Sequence, residues 1–251
     1  MQEHDALVIA AGSSRRLASR TRECPKAFLR AGGRTLIERS LDALDAQGVR
    51  HVTIVIGYLR EVFLRDLGPR YRNLSIHYVE SPGWSSSGQA LSFLLALEHW
   101  RTRGNPVVFL HADLVYHPRI LARLLESPHP NLISIDERFR PETHDEVLAC
   151  GEPGRILRIQ KIHEEPRDVL GEVISINKWS TSLMRELLEV SHDHIEHKGA
   201  HADWESIVDA FLQRGGTEIR PLLCGELPWV NVNYEADLAR ADALALRLDA
   251  G

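Results

Sequence analysis

Gly12-Ser13-Ser14 follows an apolar run, Ala6–Ala11, and is trailed by Arg16 and then by Lys26 behind Pro25. Small residues leaving a buried strand expose backbone N–H groups that line a concavity sized for phosphate oxygens. Ala10, Ala11, Gly12, Ser13 and Ser14 would form that concavity, and Arg16 and Lys26 would add fixed positive charge. Such a turn also occurs as plain structure, and Pro25-Lys26 is what tips the reading towards phosphate. Two familiar phosphate loops fail on spacing. The dinucleotide fingerprint needs three glycines where this loop has only Gly12, and the Walker pattern needs a closing G-K-[ST] that the chain lacks.

Asp113 stands just beyond a second apolar run, Val107–Leu110. A carboxylate at the C-terminal end of a strand is where open α/β sheets gather their ligands, and Mg²⁺ typically takes one or two such carboxylates plus waters. The bland alternative is a turn or helix-capping Asp. Ser86-Ser87-Gly88-Gln89 precedes a long apolar helix pattern, and the Gln89 amide can both donate and accept hydrogen bonds; a flexible loop with a helix cap is the plain reading. His192, His194, His197 and His201 form a histidine-rich stretch in which only the last two have i, i+4 spacing across Gly199, so a zinc site is not expected and a solvated loop is. No Ser/His/Asp or Cys/His constellation is evident.

The run Leu7–Leu17 with Pro25-Lys26 resembles the nucleotidyltransferase signature A-A-G-x-G-x-R-(M/L)…P-K, with Ser14 where the second glycine is usual. The segments beginning at Asp113, Ile159, Gly171, Asp203 and Pro228 fall in the same order as in the phosphocholine cytidylyltransferase-like subgroup, whose relatives handle other small phosphorylated or phosphonate acceptors. This resemblance implies transfer of a nucleoside monophosphate, CMP from CTP in the first instance, to an acceptor such as phosphocholine, with release of pyrophosphate. A sugar-1-phosphate nucleotidyltransferase and a nucleotide-binding homologue without turnover are the alternatives. Gly12–Ser14 and Arg16 would hold the β- and γ-phosphates, Lys26 the α-phosphate, Gly88 and Gln89 the base, and Lys161 the acceptor's phosphate.

The resemblance also implies Mg²⁺, held by Asp113 and by acidic residues ahead of the last helix. Here those positions read Asn231 and Asn233, which bring oxygen but no charge, so weaker Mg²⁺ binding is expected. Asn233 equally suits a helix N-cap, and Asp237 one turn on suits the helix dipole. For a cationic acceptor head group, Trp204 between Asp203 and Glu205 would offer a cation–π face, with Trp179 and Trp84 as second choices, although a tryptophan is more often core. Asp136 and Glu172 would pair with an amine acceptor.

These groups need a scaffold. Thr35-Leu-Ile-Glu38 is a capping box opening a helix that Gly48 stops. Strand-like runs at Val52–Ile56, Ile76–Val79, Val107–Leu110 and Asn131–Ile135 alternate with helical patterns at Tyr58–Leu67, Gln89–Arg101 and Arg119–Leu125. From Glu146 the pattern turns to strands without helices, at Glu146–Cys150, Arg155–Ile162 and Glu172–Ile176. Helices resume at Thr181–Val190 and Trp204–Gln213, and after strands at Ile219–Leu223 and Trp229–Val232 a last helix begins at Asn233. This order predicts a three-layer, Rossmann-like α/β fold with a mostly parallel mixed sheet and an antiparallel insertion, in one domain over 1–251, with 1–135 binding the NTP and 136–251 the acceptor.

Composition agrees with that class. The 251 residues carry a formal charge of −5 with no basic run longer than Arg15-Arg16, which disfavours nucleic acid as a partner. No stretch reaches the ~18 apolar residues of a membrane helix, and the opening residues lack the basic start of a signal peptide, so a cytoplasmic protein is expected. Cys24, Cys150 and Cys224 are odd in number and far apart, which predicts free thiols. Nothing in the composition fixes the oligomeric state, and a homodimer is allowed.

Overall fold

In the computed structural model, residues 3–138, 146–161 and 167–250 are described. Four strands form a parallel centre: Val107–His111, Asp5–Ile9, His51–Ile56 and Leu74–Glu80, paired in that spatial order. The chain runs outward from Asp5–Ile9 to His51–Ile56 and Leu74–Glu80, then returns to place Val107–His111 on the other side of the first strand. The crevice above the C-terminal ends of Asp5–Ile9 and Val107–His111 is therefore a topological switch point, where this kind of sheet binds ligands.

The strand residues alternate between two cores, as a two-residue period demands. Leu7 and Ile9 face one core with Phe93 and Leu97 of helix Gln89–Trp100 and with residues of helices Thr181–Lys198 and Trp204–Gln213. Ala6 and Val8 face the other, with Ile37, Leu41 and Leu44 of Leu36–Ala46 and with Ile120 and Leu124 of Arg119–Glu126. Helix, sheet and helix make the three layers. The predicted capping box at Thr35 and Glu38 is present in both directions.

Antiparallel strands extend the sheet past Val107–His111. Val169–Trp179 pairs with it, and Val147–Glu152 and Arg155–Lys161 follow as a hairpin. Leu132–Asp136 also pairs with Val169–Trp179, and their register slips between Val173 and Asn177, where Ser175 takes a φ of 62°. Bulges of this kind re-aim side chains beside active sites. Ile162, expected at the end of one strand, lies outside the described residues.

Two expectations are corrected. The histidine-rich stretch is helical as far as Lys198: Thr181–Lys198 continues past Val190, with His194 buried and its Nε2 3.0 Å from Ser206 Oγ, because helix Trp204–Gln213 packs over it. The last helix spans Glu235–Ala250 rather than starting at Asn233. A small third core of Leu17, Leu29, Leu36, Val115, Val232 and Leu244 clamps this helix against the turns that follow the phosphate-sized loop. That clamp is what brings residue 233 to Lys26.

Candidate active site

The loop after Asp5–Ile9 is tied down at both ends. Ala10 N donates to Val55 O at 2.9 Å, Tyr58 N to Ala11 O at 3.0 Å, and Leu17 N to Ser14 O at 2.9 Å. Ser14 sits at φ 51°, in the left-handed region, which explains why glycine is usual there. A Cβ on Gly12 would meet nothing within 4 Å, since the loop faces an open cavity of about 550 Å³. Ser13, Ser14, Arg16, Lys26, Gln89 and Asp113 line it. Gly88 N donates to Ala200 O at 2.7 Å and Ala90 N to Ala202 O at 2.9 Å; a side chain at Gly88 would meet the backbone of His201 and Ala202 at 2.3 Å, so the start of helix Gln89–Trp100 can dock here only with glycine.

Lys26 and Asp113 meet across this cavity. Lys26 Nζ donates to Asp113 Oδ2 at 2.7 Å and to Asn233 Oδ1 at 2.9 Å. Arg16 reaches the same C-terminal segment, donating to Tyr234 Oη at 2.9 Å and to Asn233 Oδ1 at 3.4 Å, with its guanidinium 4.8 Å from the Tyr234 ring centre. Burial pushes the Asp113 carboxyl up, but the Lys26 ammonium and His111 outweigh it and hold the group below its ordinary range. Asp113 is thus a carboxylate at neutral pH.

The two asparagines differ. Asn233 Oδ1 is spent on Lys26 and Arg16, whereas Asn231 Oδ1 is buried with no hydrogen-bond partner among the described residues, as is Asp113 Oδ1. Asn233 does not cap the last helix by its side chain. Its backbone N–H donates to Asp237 Oδ2 at 2.8 Å, and Tyr234 N donates to the same oxygen at 2.7 Å, so Asp237 is the cap. Two unspent oxygens, one charged, form a hard donor set that suits Mg²⁺ with phosphate oxygens and waters completing the shell. The residues present fit the ion with one carboxylate. Among the described residues, no group of three or more His, Cys, Asp or Glu gathers around a common point.

A second cavity, about 370 Å³, opens from the first and shares Gln89, His111, Asp113 and Asp203 with it. It is further lined by the acids Asp136, Glu146, Glu172 and Glu205, by the basic side chains of Arg138, Lys161 and Arg240, and by Trp229. Asp136 accepts from Trp229 Nε1 at 3.1 Å and from Arg138 N at 2.8 Å. Lys161 forms an ion pair with Asp203. Burial drives the Glu205 carboxyl up to about 7, the Asp203 charge adds to this, and a backbone hydrogen bond and Lys161 oppose it.

Trp204 and Trp179, expected to form an aromatic face for the acceptor's head group, do not form one. Trp204 and Trp179 are fully buried, packed with Phe93 and Phe109 at ring separations of 4.7 to 6.1 Å, because the strands and helices that carry them close over the first core. Neither lines a cavity open to a ligand. Trp84, beside Tyr58 at 5.2 Å, lines the first cavity, and Trp229 lines the second. Sequence reasoning named Asp203 only as a flank of Trp204 and missed His111 and Trp229 as lining residues. His111 Nε2 is buried and unpartnered among the described residues, and burial lowers the imidazole despite Asp113 nearby. An apolar strand ending His-Ala-Asp was the available signal.

Residues 6–201 match the family described as MobA-like NTP transferase domain. The chain belongs to this family. Among curated proteins, it is 26% identical to 2-aminoethylphosphonate cytidylyltransferase of Lancefieldella rimae over 96% of this chain and 93% of that one. It is 32% identical to CMP-5'-(3-aminopropyl)phosphonate synthase of Streptomyces rubellomurinus over 54% of this chain, which corresponds to 21% of that protein's length. The inositol-1-phosphate CTP transferase of T. maritima superposes with a TM-score of 0.77 at 19% identity, covering 100% of this chain and 99% of that one, which shows a shared nucleotidyltransferase fold. This MobA-like chain is a nucleotidyltransferase by family, and cytidylyltransferases are among its relatives. No described helix is long and apolar enough to cross a membrane.

Proposed function

We propose that this protein transfers a cytidylyl group from CTP to a small acceptor bearing a phosphonate or phosphate and a nearby ammonium group, releasing pyrophosphate. One observation carries the reading: two cavities meet at Asp113, the first walled by the small-residue loop with Arg16 and Lys26, the second by Asp136, Glu146, Glu172 and Glu205. The first suits a triphosphate, and the second, lined by carboxylates together with Arg138, Lys161 and Arg240, suits an acceptor that carries both an anion and a cation. The aminoalkylphosphonate relatives support the same acceptor class, and the burial of Trp179 and Trp204 removes those two rings from contact with its ammonium.

The nucleophile is an oxygen of the acceptor's phosphonate or phosphate. A phosphomonoester has its second pKa near ~6, so this oxygen is already ionised and no general base is needed. It attacks the α-phosphorus, the new P–O bond forms opposite the bridge to the β-phosphate, and pyrophosphate leaves with the bridging electron pair. Catalysis then consists of positioning and charge neutralisation. Backbone N–H groups of Gly12–Ser14 and the Arg16 guanidinium hold the β- and γ-phosphates. Lys26 is held by Asp113 and Asn233 where charge builds on the α-phosphate, Gln89 addresses the base, and Lys161 addresses the acceptor's anionic end. Mg²⁺, held by Asp113 Oδ1 and Asn231 Oδ1, would supply further neutralisation of phosphate charge.

The test is pyrophosphate release from each of four NTPs with 2-aminoethylphosphonate, phosphocholine and several sugar-1-phosphates. CTP with an amine-bearing acceptor is expected to give the highest kcat/KM. Turnover of a sugar phosphate with the amine acceptors silent would reject the proposal.

A further inference from the structure

Asp203 occupies a position that the cytidylyltransfer chemistry itself does not require. It stands at the junction of the two cavities, half-buried, with its carboxylate paired to Lys161, the lysine assigned above to the acceptor's anionic end. It precedes helix Trp204–Gln213 at the N-cap position, yet its side chain makes no capping hydrogen bond. The helix therefore does not explain its orientation. Two residues on, Glu205 Oε2 is buried in the same wall with no hydrogen-bond partner among the described residues. Lys161 ends strand Arg155–Lys161 and Asp203 directly precedes helix Trp204–Gln213, and that strand and helix are joined by Arg158, which donates to Asp209 at 2.7 Å.

We infer that Asp203 is a specificity residue, and that the Lys161–Asp203 pair is exchanged for the two ends of a zwitterionic acceptor. The inference rests on the acceptor class proposed above. The acceptor's phosphonate takes Lys161, and its ammonium takes the carboxylate that Lys161 leaves, with Glu205 behind it. Lys161 and Asp203 each keep a partner of opposite charge in this exchange. An acceptor with the anion alone would draw Lys161 away and leave the partly exposed Asp203 without its cation near Glu205 and Glu172, where solvent screens part of the repulsion and the rest counts against that acceptor. Selection against sugar phosphates would follow from that penalty, without any clash.

The experiment compares 2-aminoethylphosphonate with ethylphosphonate, which differ only in the amine, by kcat/KM for pyrophosphate release from CTP. Wild type is expected to prefer the amine by about 10- to 100-fold, the range of a charge-assisted hydrogen bond. In Asp203→Asn that preference should shrink to within about threefold, mostly through KM for the amine. Asparagine is also a good N-cap, so the helix should form, and thermal melting checks this. Glu205→Gln is the second variant and should reduce the same ratio by less. Full preference retained in a folded Asp203→Asn overturns the inference while leaving the proposed activity standing. No pyrophosphate release from wild type with either acceptor, while another acceptor class turns over, overturns the activity itself and this inference with it.

Discussion

Lys26 Nζ lies 2.7 Å from Asp113 Oδ2, joining residues 87 positions apart across the mouth of a cavity lined by small residues. The carboxylate orients the ammonium, and the ammonium keeps the carboxylate ionised. Neither is spent by the pairing, since Asp113 Oδ1 stays unpartnered among the described residues and Lys26 also holds Asn233.

Removing either partner should therefore abolish more than one contact. Lys26→Met is expected to lower kcat for pyrophosphate release by about 10²-fold or more, the magnitude seen when one preorganised group facing developing charge is deleted. Asp113→Asn should do at least as much and should raise the Mg²⁺ concentration needed for half-maximal rate. A rate within twofold of wild type in Asp113→Asn would take this residue out of the mechanism.

The two asparagines separate in a second test. Asn231→Asp adds a carboxylate to the cavity that Asp113 also lines, so half-saturation in Mg²⁺ should fall by about tenfold, worth ~1.4 kcal/mol. Asn233→Asp should shift it by less than threefold, because Oδ1 of residue 233 is already engaged by Lys26 and Arg16. Equal shifts in both variants would show that position 233 faces the ion as well.

Much of the scaffold was legible because local patterns and tertiary demands agree. The apolar run before Gly12, the Thr35–Glu38 box and the strand-only stretch after Glu146 each specify their element through period, cap chemistry and turn residues. The site was legible where one segment supplies it, as in Gly12–Arg16. It was illegible where distant segments meet. The surroundings of Trp204 are set by Phe93, Phe109 and Trp179, none within twenty residues of it, so its burial leaves no local trace. Likewise, residue 233 reads as an N-cap until the core around Leu17, Val115 and Leu244 brings it to Lys26 and Asp237 takes over the capping.

Ser14 offers a test of backbone strain. Its φ of 51° costs a non-glycine residue about 1 kcal/mol, partly offset by the greater unfolded-state entropy of glycine. Ser14→Gly should raise Tm by about 1–2 °C in a chain of this size and keep KM for CTP within threefold, whereas Ser14→Val should lower Tm by several degrees. A lower Tm in Ser14→Gly would mean that the hydroxyl carries a contact worth more than the strain.

Glu205 gives the pH dependence its sign. Its carboxyl titrates near 7 when folded, against 4.5 for an ordinary glutamate, mainly because it is buried and secondly because Asp203 is close. Between those values the folded protein holds a proton that the unfolded chain has released, so this group's contribution to stability is full below about pH 4.5 and is lost as pH rises through 7. Glu205→Gln removes the ionisable group and keeps its shape. Each tenfold difference in proton affinity between the folded and unfolded chain corresponds to ~1.4 kcal/mol, so the variant should melt several degrees above wild type at pH 8.5, and the gap should close towards zero at pH 5. Denaturation curves at the two pH values decide it: a gap independent of pH would assign the gain to packing, and a gap that opens towards low pH would reverse the assigned direction.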